Sequence, residues 1–572
     1  MLTDLPPVLP SLPFYIGALL ALMLRGPARA LVLLAIPVIG GWQLWQHAGG
    51  VLWQLQFLDY TLTPLRIDQL SLLFGYLFHI AAFIALLYSL HVKDTTQQVA
   101  AMLYAGSALG AVFAGDLLTL FVFWEAMALS SVFLIWARRS ERALRAGMRY
   151  LVIQVVSGVA LLAGALMLMH ETGTLAFEYI GLDGPASWVV FFAFGLKAAF
   201  PLLHNWATDA YPEATPTGAV FLSAFTTKAA IYALARAFPG AEPLIYIGAA
   251  MTCFPIFYAV IENDLRRVLA YSMINQLGFM VCGIGIGTAL AINGAVAHAF
   301  NDVIFKGLLF MAMGAVLHMT GRMNGSDLGG LYKSMPITTV LCIVGAASIS
   351  AFPLFSGFVS KSMVMSAAIE EGHGWIWLML LFASAGVFHH AGIKIPYFAF
   401  FAHDSGIRTK EPPLNMLLAM GIAAVLCVAI GCYPQALYSL LPNQLAYSAY
   451  DATHVLAQLQ LLFFSAAAFV WLNLARLYPP ELRSTNIDVE WLYRKLLPGV
   501  ARPIVAGARA AASMTQNLAT HAGRTLGVHM ARHQGWQMAI ARNWPMGGVV
   551  LWVALLLLFY LIFPYVQAGL MR

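Results

Sequence analysis

Five lysines stand inside stretches apolar enough to cross a bilayer: Lys197, Lys228, Lys306, Lys361 and Lys394. No arginine is among them. The difference is chemical, because a buried lysine can give up its proton whereas an arginine stays charged in any protein setting. Glu125, Asp302 and His298 lie in the same kind of stretch. Amine, carboxylate and imidazole are the usual partners in proton transfer. Each costs on the order of a few kcal/mol at membrane depth. So many in one chain imply a polar path through the bundle.

Two of the lysines sit beside prolines. Lys197, in GLKAAFPLLHNW, precedes Pro201 by four residues. Proline has no N–H for the lysine's carbonyl, and its ring crowds that carbonyl, so the helix must break or kink there. Broken helices persist in a membrane only where they pack inside protein or line a cavity, and transporters place ion sites at such breaks. A second interruption reads SISAFPLFSGFVSKSM, residues 348–363, with Pro353 and Gly357 followed by Lys361. One lysine-bearing break in each half is the pattern of repeated transporter units.

His298, Asp302 and Lys306 fall at i, i+4 and i+8 of AVAHAFNDVIFKGLLF and share one helix face. A stripe of imidazole, acid and amine suits a proton relay; a purely structural, ion-paired stripe is the alternative. Glu125, in FVFWEAMALS, is a lone acid among aromatic residues. Lys197 is its natural partner, in a pair whose strength sets the proton affinity of both groups. Lys228, in SAFTTKAAIYALAR, offers the next station. Lys394, in AGIKIPYFAFF, lies near the inner end of its span, where an interior role and snorkelling both fit.

The elements that must hold these groups follow from composition. The chain has 572 residues, 61% hydrophobic and only 10% charged, against roughly 25% charged in a soluble domain. That excludes a soluble enzyme, a nucleic-acid binder and a disordered scaffold. Hydropathy predicts an all-α polytopic membrane protein of about sixteen spans: 11–24, 29–47, 67–91, 97–115, 116–137, 147–170, 187–207, 214–238, 242–261, 266–289, 290–320, 335–372, 374–402, 415–434, 454–475 and 547–568. Of the 31 basic residues, 23 then fall in odd-numbered connections, against Arg66, Arg236 and Arg572 on the other side and the five interior lysines. The positive-inside rule makes the odd connections cytoplasmic and puts both termini on the opposite face. The same split accounts for the net charge of +6 without nucleic acid.

Residues 1–96 are expected to hold the N-terminal spans, 403–478 further spans, 479–546 a basic, amphipathic cytoplasmic-side segment and 547–572 a final span. Within that segment 504–542 reads as one helix, ~58 Å long at 1.5 Å per residue; a basic juxtamembrane linker and a helix bracing neighbouring spans both fit. Five cysteines, all in apolar stretches without a CxxC pair, suggest neither a disulfide nor a metal site. No catalytic residue, cofactor-binding motif or cleavable leader is expected.

The strings FWEAMALSS, GLKAAFPLLHNWATDAYPEATPTGAVFLSAFTTKAAIYALAR, NDLRRVLAYSMINQLGFM, HAFNDVIFKGLLFMAMGAVLH and SAFPLFSGFVSKSM, covering about 100–370, resemble one family. It is that of the antiporter-like, proton-translocating subunits of complex I and of Mrp-type cation/proton antiporters. The resemblance implies two inverted five-helix repeats, at 97–240 and 241–402, each with a broken helix at a half-channel. It also implies roles. Glu125 matches the family's key glutamate, Lys197 its partner, Lys228 the lysine of the next span, Lys306 with His298 the central lysine, and Lys361 the terminal charge. A histidine often stands where this chain has Asp302. Lys361 favours the D-type Na+/H+ antiporter subunit, whereas the sixteenth helix looks like the largest complex I subunit of this kind.

The expected function is therefore a subunit moving H+, with Na+ a candidate counter-ion, beside other membrane subunits in a bacterial inner membrane. It would not be catalytic on its own. A membrane-arm subunit of a quinone- or hydrogenase-linked oxidoreductase, and an energy-coupling subunit of inorganic-carbon uptake, are the alternatives.

Overall fold

In hydrocarbon a backbone amide has no water to bond, so long apolar runs close their hydrogen bonds within helices. The computed structural model describes residues 8–46, 49–58, 60–482, 486–534 and 546–570. The chain is a multi-pass membrane protein. Twelve helices among the described residues are long and apolar enough to cross a membrane, and Leu12–Met23, Pro185–Lys197 and Pro336–Ile349 are shorter apolar ones. The chain divides into two units, at Asn486 and Ile487.

The first unit opens with α1 (Leu12–Met23) and α2 (Gly26–Trp45). An antiparallel hairpin follows, β1 (Gly50–Phe57) and β2 (Tyr60–Ile67). It departs from the all-helical expectation, which makes this stretch a connection. The alternating, aromatic-rich VLWQLQF supplies the strand signal. The hairpin fastens to the main bundle where Thr63 N–H donates to Asp116 Oδ2 at 2.6 Å and Gly115 N–H to the Thr63 carbonyl at 2.9 Å.

After α3 (Gln69–Ser89), the helices α4 (Thr95–Phe113), α5 (Leu117–Trp136) and α6 (Glu141–Thr172) are followed by the broken pair α7 (Pro185–Lys197) and α8 (Asn205–Ala210), then by α9 (Gly218–Ala224) and α10 (Thr226–Ala237). The plan then recurs. α11 (Pro243–Ile261), α12 (Leu265–Ile286) and α13 (Ala289–Thr320) each begin 148 residues after α4, α5 and α6. The repeat extends to the caps. Asp116 and Asp264 cap α5 and α12, Ser140 and Thr288 cap α6 and α13, and left-handed Gly173 and Gly321 end those two long helices. Isolated bridges join Asp116 to Ala176 and Asp264 to Asn324, again 148 apart.

The second break lies between α14 (Pro336–Ile349) and α15 (Ser356–Glu370), so the single long span expected over 335–372 is two helices. Both breaks carry the letters A-F-P-L. Ala199 and Leu202 have φ of 61° and 71°, and Ala351 and Leu354 have 56° and 73°. Non-glycine residues adopt such values only where the surroundings impose them. Here proline forbids the helix to continue.

α16 (Gly374–Val387) runs into π-helical turns on either side of α17 (Lys394–Pro396). α18 (Leu414–Cys432), α19 (Gln435–Tyr438) and α20 (Ala452–Leu474) complete the bundle. The second unit contains α21 (Leu497–Gln534), 38 residues long and mostly exposed over 497–529, and α22 (Met546–Leu570). The helix expected over 504–542 thus starts earlier, and its last part lies outside the described residues.

Candidate functional site

Each interior lysine is fully or almost fully buried, with exposures of 0% at Lys197, Lys228, Lys306 and Lys394 and 2% at Lys361. An ammonium has three N–H donors. How many of those are satisfied separates the five.

Lys197 closes α7. Its Nζ donates to the Trp124 carbonyl on α5 at 2.6 Å and lies 4.3 Å from the centroid of the Trp124 ring, a cation–π contact on top of the hydrogen bond. Trp124 is held by its Nε1, which donates to Ser157 Oγ at 3.0 Å; that hydroxyl donates to the Ala193 carbonyl at 2.7 Å. Glu125 is the next residue along α5 and is half-buried. Its carboxylate lies over Gly158 on α6, where any side chain would collide with Oε1. Oε1 has no hydrogen-bond partner among the described residues. The hydrogen bond of Lys197 goes to the carbonyl of the neighbouring tryptophan and not to the Glu125 carboxylate.

Lys228, on α10, donates to the Ser223 carbonyl at 3.0 Å and forms an ion pair with Asp302 Oδ2 at 2.6 Å, both side chains having no exposure. Asp302 therefore pairs across helices. Its partner is neither His298 nor Lys306, although all three share α13 and are fully buried. Lys306 Nζ donates to Ser272 Oγ on α12 at 2.9 Å.

His298 is fixed at both nitrogens, with Nε2 3.1 Å from Gln276 Oε1 and Nδ1 3.0 Å from Ser360 Oγ. The Gln276 amide donates through its nitrogen to Asn275 Oδ1 at 2.6 Å, which turns its oxygen toward the histidine. In a neutral ring Nε2 then carries the proton and Nδ1 accepts from Ser360. Ser360 precedes Lys361, so the imidazole touches the turn that carries the last lysine.

Lys361 donates to the Ile349 carbonyl at 2.9 Å and lies 5.0 Å from the Phe279 ring centroid. That carbonyl is the one Pro353 cannot satisfy, being four residues on. The lysine fills the gap the proline makes.

Lys394 is built differently. It donates to the carbonyls of Ala259, Val260 and Glu262 at 3.2, 2.6 and 2.7 Å, and pairs with Glu481 at 2.9 Å. All three donors are in use at the carboxyl end of α11, where a cation also complements the helix dipole. It has no exposure, so it does not snorkel.

Arg266, which sequence places among the charges that set orientation, is also buried. It donates to the carbonyls of Tyr211, Pro212, Ala214 and Thr215. Trp124, Ser272, Gln276 and Ser360 are the site residues that sequence reasoning misses. Trp124 and Ser360, each beside a charged residue inside a span, have a local sign; Ser272 and Gln276 have none.

The family model described as NADH:quinone oxidoreductase/Mrp antiporter, TM, matches residues 114–388. The A-type subunit of an Na+/H+ antiporter from Alkalihalophilus pseudofirmus is 31% identical over 425 residues, 65% of this chain and 52% of that protein. A putative antiporter subunit mnhD2 from Staphylococcus aureus is 30% identical over 344 residues, 56% of this chain and 69% of that one. The chain spans about half the length of the A-type relatives.

Two solved structures share the fold. A chain of the Mrp complex from Dietzia sp. superposes with a TM-score of 0.66 at 21% identity, covering 80% of this chain and 99% of that one. A chain of the archaeal membrane-bound sulfane sulfur reductase does so with a TM-score of 0.70 at 22% identity, covering 97% and 99%.

Proposed function

We propose that this chain, which belongs to the NADH:quinone oxidoreductase/Mrp antiporter family of membrane proteins, translocates protons as one subunit of a larger membrane assembly. The observation that carries the reading is the set of partly satisfied ammonium groups, Lys197, Lys306 and Lys361, each tied to a single uncharged acceptor. A lysine held by one carbonyl or hydroxyl can lose a proton without leaving an unpaired carboxylate in a dry interior. The half-buried Glu125 receives the proton and hands it to Lys197. Lys228, fixed by Asp302, sets the field between the halves. Lys306 and His298 pass the proton along α13, and Lys361 releases it.

Transfer works by repulsion. A proton arriving on one lysine raises the cost of keeping the next one charged, because the interior screens like charges weakly. The transporting repeats are assigned to 97–240 and 241–402, between the outer segments 1–96, 403–478, 479–546 and 547–572. The charge distribution supports both termini on the non-cytoplasmic face of a bacterial inner membrane. Other membrane subunits, H+ and an exchanged cation such as Na+ are its partners.

The test is proton uptake by everted vesicles containing the assembled complex. Lys197→Ala and Glu125→Gln are each expected to abolish uptake while the protein still accumulates in the membrane. Uptake at the native rate in either variant contradicts the reading.

A further inference from the structure

Beside Lys361 is a cavity of about 240 Å³ between α15, α16 and α20. Its wall includes Lys361, Ser366, Phe358, Trp377, His454 and Gln458. At ~30 Å³ per water it has room for several. His454 in the same wall pairs with Asp451, Nδ1 to Oδ2 at 2.7 Å, with side-chain exposures of 34% and 48%. One cavity thus has both a buried amine and a partly exposed imidazole in its wall, the imidazole paired with a half-exposed carboxylate.

The pair is held in place by its surroundings. Asp451 caps α20, its Oδ1 accepting from the His454 N–H at 2.9 Å, which leaves Oδ2 for the ring. His454 Nε2 lies 3.3 Å from Ser366 Oγ on α15, five residues after Lys361, and Ser366 Oγ is 3.4 Å from the Tyr447 hydroxyl. Gln458, one turn further along α20, donates to the Ser350 carbonyl at 3.0 Å, inside the second break. The edge of the cavity is therefore bonded to the break that presents Lys361.

We infer that His454, oriented by Asp451, is the group that takes the proton from Lys361 and delivers it to the solution. This rests on the proton-translocating reading above and adds its release step. Lys361 goes from ammonium to amine as water in the cavity carries the proton to Nε2. The ring becomes an imidazolium facing the Asp451 carboxylate at Nδ1. The Nδ1 proton then leaves past Asp451 to bulk water, the neutral ring is left protonated at Nε2, and proton exchange through water restores the Nδ1–H form for the next cycle.

The groups in contact with the ring are Asp451 on its own turn, Tyr447 on the preceding segment and Ser366 on α15, and Lys361 shares the cavity wall. Glu370, at the end of α15, acts on Tyr447 electrostatically. α16 contributes Trp377 and Leu381, which do not titrate. Acid in the receiving compartment opposes loss of the proton from the ring, so release slows as that compartment is acidified.

The experiment sets the lumen of everted vesicles between pH 5.5 and 8 and reads initial proton uptake by the assembled complex. His454→Gln is expected to slow uptake about a hundredfold, the low end for losing a proton-transfer group, and to flatten its dependence on lumen pH. Imidazole trapped in the lumen should restore the rate. Asp451→Asn keeps the helix cap and removes the counter-charge, so a several-fold loss with the same flattening is expected from a variant that folds. Native rate and native lumen-pH dependence in both variants, with Lys361→Ala inactive, would overturn the exit assignment and leave the relay standing. An active Lys361→Ala would sink the relay itself.

Discussion

At the first break the lysine is the last residue of the helix before the proline; at the second it is the sixth residue of the helix after it. The backbones match, with A-F-P-L and two positive φ angles in each. The tethers differ. Lys197 reaches across to α5, so its position depends on how two helices pack. Lys361 reaches back to the Ile349 carbonyl, so its position depends on the break alone. A duplicated backbone with its cation moved from one half-helix to the other gives one lysine that senses its neighbour's packing and one that senses only local geometry.

The third reference point is Lys394, which is as buried as either but has every donor occupied. Losing its proton would break a carboxylate pair and leave three carbonyl contacts short of donors. Burial alone therefore does not mark a proton carrier. On the proposed reading, the number of acceptors around the nitrogen does.

The largest effect expected from breaking this comparison lies between the halves. Asp302→Ala strips the counter-ion from Lys228, and removing one member of a buried pair costs about 3–5 kcal/mol in soluble proteins. Thermal unfolding of the purified protein in detergent should show a large drop; an unchanged melting curve would mean that the pair is not the dry contact described. Pro353→Ala comes next. It supplies an N–H for the Ile349 carbonyl, competes with Lys361, and should slow proton uptake by about tenfold, or ~1.4 kcal/mol. Pro201→Ala should do less, because Lys197 is anchored on α5; equal losses would erase the distinction between the two tethers.

Gly158→Ala is a smaller perturbation. A methyl group there must displace the Glu125 carboxylate, and a few-fold loss of uptake with normal folding is expected. Native uptake would place Glu125 off the path.

The smallest effect concerns acid. Burial pushes the Asp68 carboxyl up, but Arg236, the Ser71 N–H and Arg66 together hold it below the usual carboxylate range. A depressed carboxyl contributes stability that is complete above its unfolded value of about 3.9 and is lost as the pH falls through the lower folded value. Asp68→Asn retains the cap on α3 and should flatten the acid limb of the stability–pH curve, below about pH 4.

How much of this is legible in the sequence depends on the range of the interactions. The breaks at Pro201 and Pro353 can be read directly, because proline acts on a carbonyl four residues away. The depth of the five lysines follows from hydropathy. The partner of Asp302 does not, since a shared face on α13 suggests His298 or Lys306 and the choice is made by α10 packing against it. Arg266 reads as a surface charge because a connection and a buried turn look alike in sequence. The hairpin at 50–67 escapes notice because only its first strand alternates clearly. The pairing of Lys394 with Glu481 spans 87 residues, and no spacing rule points there.

The most direct test is initial proton uptake per folded molecule in everted vesicles for Lys361→Met beside Lys394→Met, with melting temperatures taken on the same preparations. Lys361→Met is predicted to lose uptake and keep its melting temperature. Lys394→Met is predicted to melt lower and to retain uptake in the molecules that remain folded. The reverse pattern, with transport lost at Lys394 at unchanged stability and kept at Lys361, would contradict the assignment of carriers by unsatisfied donors.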